Sequence, residues 1–187
     1  TDPHHPQVLM NVKITGDEAL LSRLKCYALL APHLDGGGAG NSARSVEVAG
    51  KRCLLAWKNN VSLAMSADCG FTRSSCGYVG TSDGYQNLSA DMRMSWQFGQ
   101  ALNGNIAVMG EVDIATHREF TIAIGFGDGH HGAIAHMMQS LATPYTFHRD
   151  RFLEQWHRTA SVDHLSAAST DRGKLARISH NILLSHE

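Results

Sequence analysis

Residues 24–43 read LKCYALLAPHLDGGGAGNSA. An apolar run with the look of a strand ends at Pro32-His33. The chain then passes four glycines between Gly36 and Gly40 and reaches Asn41. A strand entering a glycine-rich turn raises the question of a phosphate cradle. A Walker-type loop needs Lys and then Ser or Thr directly after its last glycine, to reach the phosphates and bind Mg²⁺. Here Asn41-Ser42-Ala43 follow, and the next lysine is Lys51. A dinucleotide fingerprint needs a helix to open at the glycines. Ser45-Val46-Glu47-Val48 alternates like a strand instead. The stretch therefore reads as strand, wide loop, strand, with glycine supplying the positive-φ positions.

The neighbouring segments carry the same period of two. Val8, Met10, Val12 and Ile14 lie on one face of a half-buried strand, with Leu9, Asn11 and Lys13 on the other. After the loop come strands at 45–49, 52–57 and 61–67, joined by Ala49-Gly50-Lys51 and Lys58-Asn59-Asn60. Connections this short predict an antiparallel meander. Residues 68–91 are rich in turn residues, with Asp83-Gly84 as a turn signal. Three more alternating runs follow: Met92/Met94/Trp96/Phe98, Ile106/Val108/Val112/Ile114 and Phe120/Ile122/Ile124/Phe126. One apolar face per strand predicts a sheet packed on a second sheet, a mainly β antiparallel sandwich.

The period then changes. Ile134, Met137, Met138 and Leu141 form a helical stripe. Thr143-Pro144 signals a new helix whose stripe is Phe152, Leu153, Trp156 and Ala160. A polar link from Ser161 to Asp171 leads to a last helix with Leu175, Ile178 and Ile182 on one side. That stripe has no evident partner in the sequence, so the chain reads as cut there.

Three segments together carry a resemblance. They are Tyr27-Ala28-Leu29-Leu30-Ala31-Pro32-His33-Leu34 with the glycine loop and Asn41; Gly77-Tyr78-Val79-Gly80-Thr81-Ser82-Asp83-Gly84-Tyr85; and the run from Ile178 to Glu187. The chain resembles the N-terminal β-sandwich domain of bacterial and archaeal glucoamylases and glucodextranases, glycoside hydrolases of family 15. The resemblance implies a galactose-mutarotase-like supersandwich over 1–128, with further strands expected before Thr1. It implies a helical linker over 129–170, and over 171–187 the start of an (α/α)₆ catalytic barrel. The parent would be an inverting, exo-acting glucosidase working on α-glucans or maltooligosaccharides. Its two catalytic glutamates would lie in the barrel, in motifs without a counterpart here. This chain would then be a non-catalytic scaffold. The alternative is a stand-alone carbohydrate-binding module.

Composition limits the other classes. In 187 residues, 16 Lys and Arg balance 17 Asp and Glu, for a net charge of −1. No basic field is present for nucleic acid or an anionic membrane. No apolar run approaches the roughly 18 residues of a spanning helix. Cys26, Cys53, Cys69 and Cys76 fit no zinc spacing and read as free thiols; Cys69 and Cys76 flank a short segment and would be the pair to bridge in an oxidising compartment. His130, His131 and His136 cluster without an acidic or thiol partner, so no metal and no cofactor is expected.

Glycoside hydrolysis needs two positioned carboxylates. Gly110-Glu111-Val112-Asp113-Ile114 puts Glu111 and Asp113 on one strand face. The E-x-D-x-x-E strand of jelly-roll glucanases has a further Glu where Ala115 or Thr116 stands here. The pair therefore reads as the solvated face of a strand, and no catalytic residue is assigned. His33 reads as a hydrogen-bonded structural histidine. Trp57 and Trp156 read as packing residues. Tyr85, Asp83 and Trp96 are the candidate sugar-contacting residues, with Tyr78 as a further exposed aromatic. The apolar stripe on the last helix predicts homo-oligomerisation if no barrel covers it.

Overall fold

The computed structural model describes residues 5–159 and 170–184. Most of the polar link expected over 161–171, Ala160 of the preceding stripe and the last three residues of the barrel-like segment lie outside that range. Two compact units divide the chain, Thr1–Tyr145 and Thr146–Glu187.

The first unit is built on strands β1 (Gln7–Lys13), β2 (Cys26–Leu30), β3 (Asn41–Val48), β4 (Lys51–Lys58), β5 (Val61–Ala67), β6 (Arg73–Tyr78), β7 (Gln100–Gly104), β8 (Ile106–Val112) and β9 (Glu119–Asp128). Six form one sheet in the order β1-β9-β5-β4-β3-β7, and three form a second in the order β2-β8-β6. Every pairing is antiparallel. The β3–β4–β5 meander is the one the short connections predict, and its tight turns place Ala49 and Asn59 at φ 50° and 51°. In the glycine loop, Gly36 and Gly40 adopt φ 81° and 76°.

The two sheets pack face to face. Leu54 and Ala56 of β4, Leu63 and Met65 of β5, and Phe120 and Ile122 of β9 meet Cys76 of β6 and Ile106, Val108 and Val112 of β8. This is the antiparallel sandwich that the alternation predicts. The three-stranded sheet is narrower than the six-stranded one, and the shortfall shows at the β1 edge. Val8 and Met10 point to the sandwich side yet stay 37% and 55% exposed.

The outer face of the large sheet is also covered. Helix α3 (Gly129–Leu141) lies across it, with Ala133 and Met137 packed on Cys53, Leu55, Ala64 and Ala123. The alternation alone leaves Ser62, Ala64 and Ser66 on a polar face, but all three are buried. They are small, as are Ala123, Gly125 and Gly127 of β9, so a helix can approach the backbone. A Cβ on Gly125 would stand 2.4 Å from Met137 N and 2.5 Å from Ala133 O. The helix sits where only glycine leaves room.

Residues 92–98 are not a strand, although Met92, Met94, Trp96 and Phe98 alternate. They form an irregular segment whose last residue borders β6. Phe98 O accepts from Cys76 N at 2.8 Å, and Ser75 Oγ accepts from Phe98 N at 3.1 Å. The paired strand here is β6, in a stretch whose Ser-Ser-Cys-Gly composition carries no period. Helix α1 (Glu18–Leu21) is a single turn capped by Asp17.

The second unit contains the two helices the stripes predict, α4 (Tyr145–Thr159) and α5 (Lys174–Leu184). Phe152 and Trp156 pack edge to face at 5.9 Å on α4, so Trp156 is a packing residue. Leu175, Ile178 and Ile182 of α5 are exposed.

Candidate functional site: a cleft at the end of the small sheet

The Asp83-Gly84 pair does not make a turn; it starts helix α2 (Gly84–Asp91). Asp83 is in extended conformation and buried, and its Oδ1 accepts the Gln86 N–H at 2.8 Å. Its Oδ2 accepts the Gly80 N–H. One carboxylate thus caps the helix and ties it to the end of β6. Gly84 lies against Met109 of β8, where a Cβ would come within 2.4 Å of the sulfur, and this contact brings α2 down onto the outer face of the small sheet. At the far end Met92 closes the helix in the left-handed conformation. Asn87, buried inside α2, accepts from Ser95 N at 3.1 Å and donates to Ser95 Oγ, fixing the irregular segment that follows.

Between α2 and the ends of β2, β6 and β8 a cleft of about 450 Å³ opens. Ala107 forms its buried floor and Leu29 and Val79 its exposed sides, while the neighbouring Leu30 turns its side chain into the sandwich core. Tyr85 stands at the mouth, 68% exposed, with Gln86 beside it. Asp83 lines the same cleft. Two of the three candidate sugar-contacting residues are therefore brought together. The third, Trp96, lies elsewhere, half-buried with its Nε1 shielded from solvent and its ring 6.5 Å from Phe98. Tyr78 is engaged through its hydroxyl, which donates to Leu102 O and accepts from Leu102 N, both at 3.0 Å.

The carboxylates singled out in the sequence are held in different ways. Glu111 is on β8 but is not a solvated residue. It is 7% exposed and lies between Lys25, at 3.7 Å, and Arg73, at 3.8 Å. Asp113 falls just past the strand, where its oxygens accept from Ala115 N at 3.0 Å and Thr116 Oγ1 at 2.7 Å. The Thr116 hydroxyl is the chief reason its pKa lies below the usual carboxylate value.

The histidine cluster is dispersed. The His130 ring packs against Trp57 with centroids 4.8 Å apart and planes tilted by 57°, where the Arg44 guanidinium also sits, 5.7 Å from the ring centroid. His136 Nδ1 faces Phe126 O at 2.6 Å. Among the described residues no group of His, Cys, Asp and Glu is placed to hold a metal ion. His33 is exposed, with its Nε2 beside Gly38. All four cysteines are free, and burial raises the Cys76 thiol to about 12. Among the described residues no helix is long and apolar enough to cross a membrane.

The match to known proteins follows the same sandwich. The family described as glucodextranase, domain N, matches residues 1–160. This chain belongs to that family. A glucoamylase from Clostridium sp. (strain G0005) is 24% identical over 158 residues, which is 84% of this chain and 22% of that protein. The crystal structure of a bacterial glucoamylase complexed with acarbose superposes with a TM-score of 0.77 at 24% identity, over 84% of this chain and 23% of that one. The chain thus spans under a quarter of the length of these relatives. The sandwich described above is thus a glucodextranase N domain.

Sequence reasoning named Tyr85 and Asp83 but not the cleft that both line. The signal was present in Gly77 and Gly84, on either side of Asp83. These let a helix lie close on a sheet, a relation that only the tertiary structure displays.

Proposed function

We propose that this domain braces the catalytic part of a longer glycoside hydrolase that releases glucose from α-glucans. The observation that carries the reading is the family match over residues 1–160, in which the chain accounts for 22% of a glucoamylase. The acidic groups agree with it: Asp83 caps a helix, Glu111 is ion-paired and Asp113 holds a turn. None of them is assigned a catalytic role.

In this reading residues 1–128 are the sandwich, 129–170 the linker and 171–187 the first helix of an (α/α)₆ barrel. The sandwich would gain further strands from polypeptide before Thr1. The exposed Val8 and Met10 and the unpaired outer edge of β2 support that completion. The exposed stripe of α5 would face the barrel, or pair between copies where no barrel covers it.

The test is the product of the intact gene. Purified full-length protein should release glucose from maltooligosaccharide, with the β-anomer appearing first as inversion requires. A full-length protein inert on every α-glucan would overturn the reading. Light scattering on the 187-residue chain tests the α5 stripe. Self-association is expected, and Ile178→Glu should abolish it; a monomer at all concentrations would refute that part.

A further inference from the structure

Outside the core the structure presents an open β2 edge, an Arg44–Trp57–His130 cluster and the cleft under Tyr85. Nothing in the structure identifies what pairs with the edge, and the cluster is already accounted for as packing around Trp57. The cleft goes further, because its lining selects a ligand class.

Its volume of about 450 Å³ falls within the usual range of small-molecule pockets, about 300–1,000 Å³. No Lys, Arg or His lines it, so nothing there would balance a phosphate or carboxylate. Asp83, its one charged group, is already capping α2 and offers remaining lone pairs as acceptors only. The ligand that fits is neutral, has an apolar face for Leu29 and Ala107, and carries hydroxyls. Tyr85 offers an exposed ring face and a phenol, and Gln86 an amide that both donates and accepts. A pyranose has this character, with C–H groups on its faces and hydroxyls around its edge.

We propose that the cleft between α2 and the ends of β2, β6 and β8 is a binding site for a neutral pyranose unit. Tyr85 stacks on the ring, Gln86 and Asp83 take its hydroxyls, and Leu29 and Ala107 meet its apolar face. The choice of an α-linked glucosyl unit rests on the functional reading above, which makes α-glucan the polymer at hand.

The experiment is a titration of the ¹⁵N-labelled 187-residue chain with maltotriose, followed by amide chemical shifts. Shifts at Gly80, Tyr85, Gln86 and Ala107 are expected, saturating with one Kd. Tyr85→Ala should weaken binding about tenfold, the effect of losing one ring contact. Tyr85 is exposed, so the fold should survive. Val79→Trp, which fills the mouth from the other side, should have at least the same effect. Shifts that saturate elsewhere, binding that both variants retain, or no saturable shift at all would overturn the proposal. The outcome is separable from that of the functional reading. If the full-length protein releases glucose while the titration stays silent, only the cleft assignment fails. If the full-length protein is inert but maltotriose binds under Tyr85, only the hydrolase reading fails.

Discussion

Gly125 of β9 lies directly beneath Met137 of α3, so close that a Cβ would stand 2.4 Å from the Met137 backbone nitrogen. Because the obstacle is backbone, it cannot rotate away. Gly125→Ala should therefore push α3 off the sheet and destabilise the domain by about 1–3 kcal/mol, the usual cost of overpacking. Gly132, on α3 itself, is the control. A Cβ there meets nothing closer than 3.6 Å, so Gly132→Ala should be neutral or stabilising by up to about 1 kcal/mol through helix propensity. Thermal unfolding of the two variants checks the contrast.

Asn41 explains why the glycine loop ends where it does. Its amide donates to Gly37 O at 2.7 Å and Gly38 O at 2.6 Å, and its Oδ1 accepts from Leu34 N at 3.1 Å. It is fully buried. Asn41→Ala leaves those three backbone groups without their side-chain partner and should cost about 2–4 kcal/mol. Asn41→Asp keeps the acceptor but loses the donor, so it should not restore stability. Urea unfolding midpoints would measure both.

Tyr27, Glu111 and Arg73 occupy directly paired positions on neighbouring strands, and Lys25 reaches the same carboxylate. Removing the charge with Glu111→Gln leaves Arg73 and Lys25 facing each other across the sheet. Both cations keep access to water, so the loss should be about 1–2 kcal/mol, below that of a fully buried pair. The loss should shrink at high salt. A salt series of melting temperatures for both proteins reads this out.

His130 gives the domain a pH dependence of definite sign. Burial, Arg44 and His131, in that order, hold its pKa below the ordinary 6.5. The folded state then binds fewer protons than the unfolded one at this site. The stability it contributes is complete above about pH 6.5 and is lost as pH falls toward the folded pKa. His130→Phe keeps a ring on Trp57 and removes the titration. Between about pH 7.5 and pH 5, the wild-type melting temperature should fall further than that of the variant. Parallel pH profiles would contradict this assignment.

The period-two runs carried much of the fold. Strands β1, β5 and β9 stand where the alternation puts them, and the pairing of β3, β4 and β5 follows from their short turns. Helices α3, α4 and α5 follow from the change of period and from Thr143-Pro144. Two things were not legible. Met92 to Phe98 alternates, yet hydrogen-bonds through Phe98 to the margin of β6 rather than joining a sheet as a strand, because Asn87 and Asp91 hold Ser95 from outside. Ser62, Ala64 and Ser66 scan as a polar face but are buried, because their small size admits a helix from later in the chain. The cleft has the same origin: Tyr85 and Asp83 are near in sequence, but Leu29 and Ala107 reach them only through the sheet.

The central claim is that this sandwich supports chemistry performed by other polypeptide. The direct measurement is glucose release from maltooligosaccharide and dextran by the purified 187-residue chain, beside its Glu111→Gln variant. The account predicts no release above the buffer blank from either protein. Sustained release by the wild-type chain that vanishes in Glu111→Gln, with the variant still folded by circular dichroism, would contradict it.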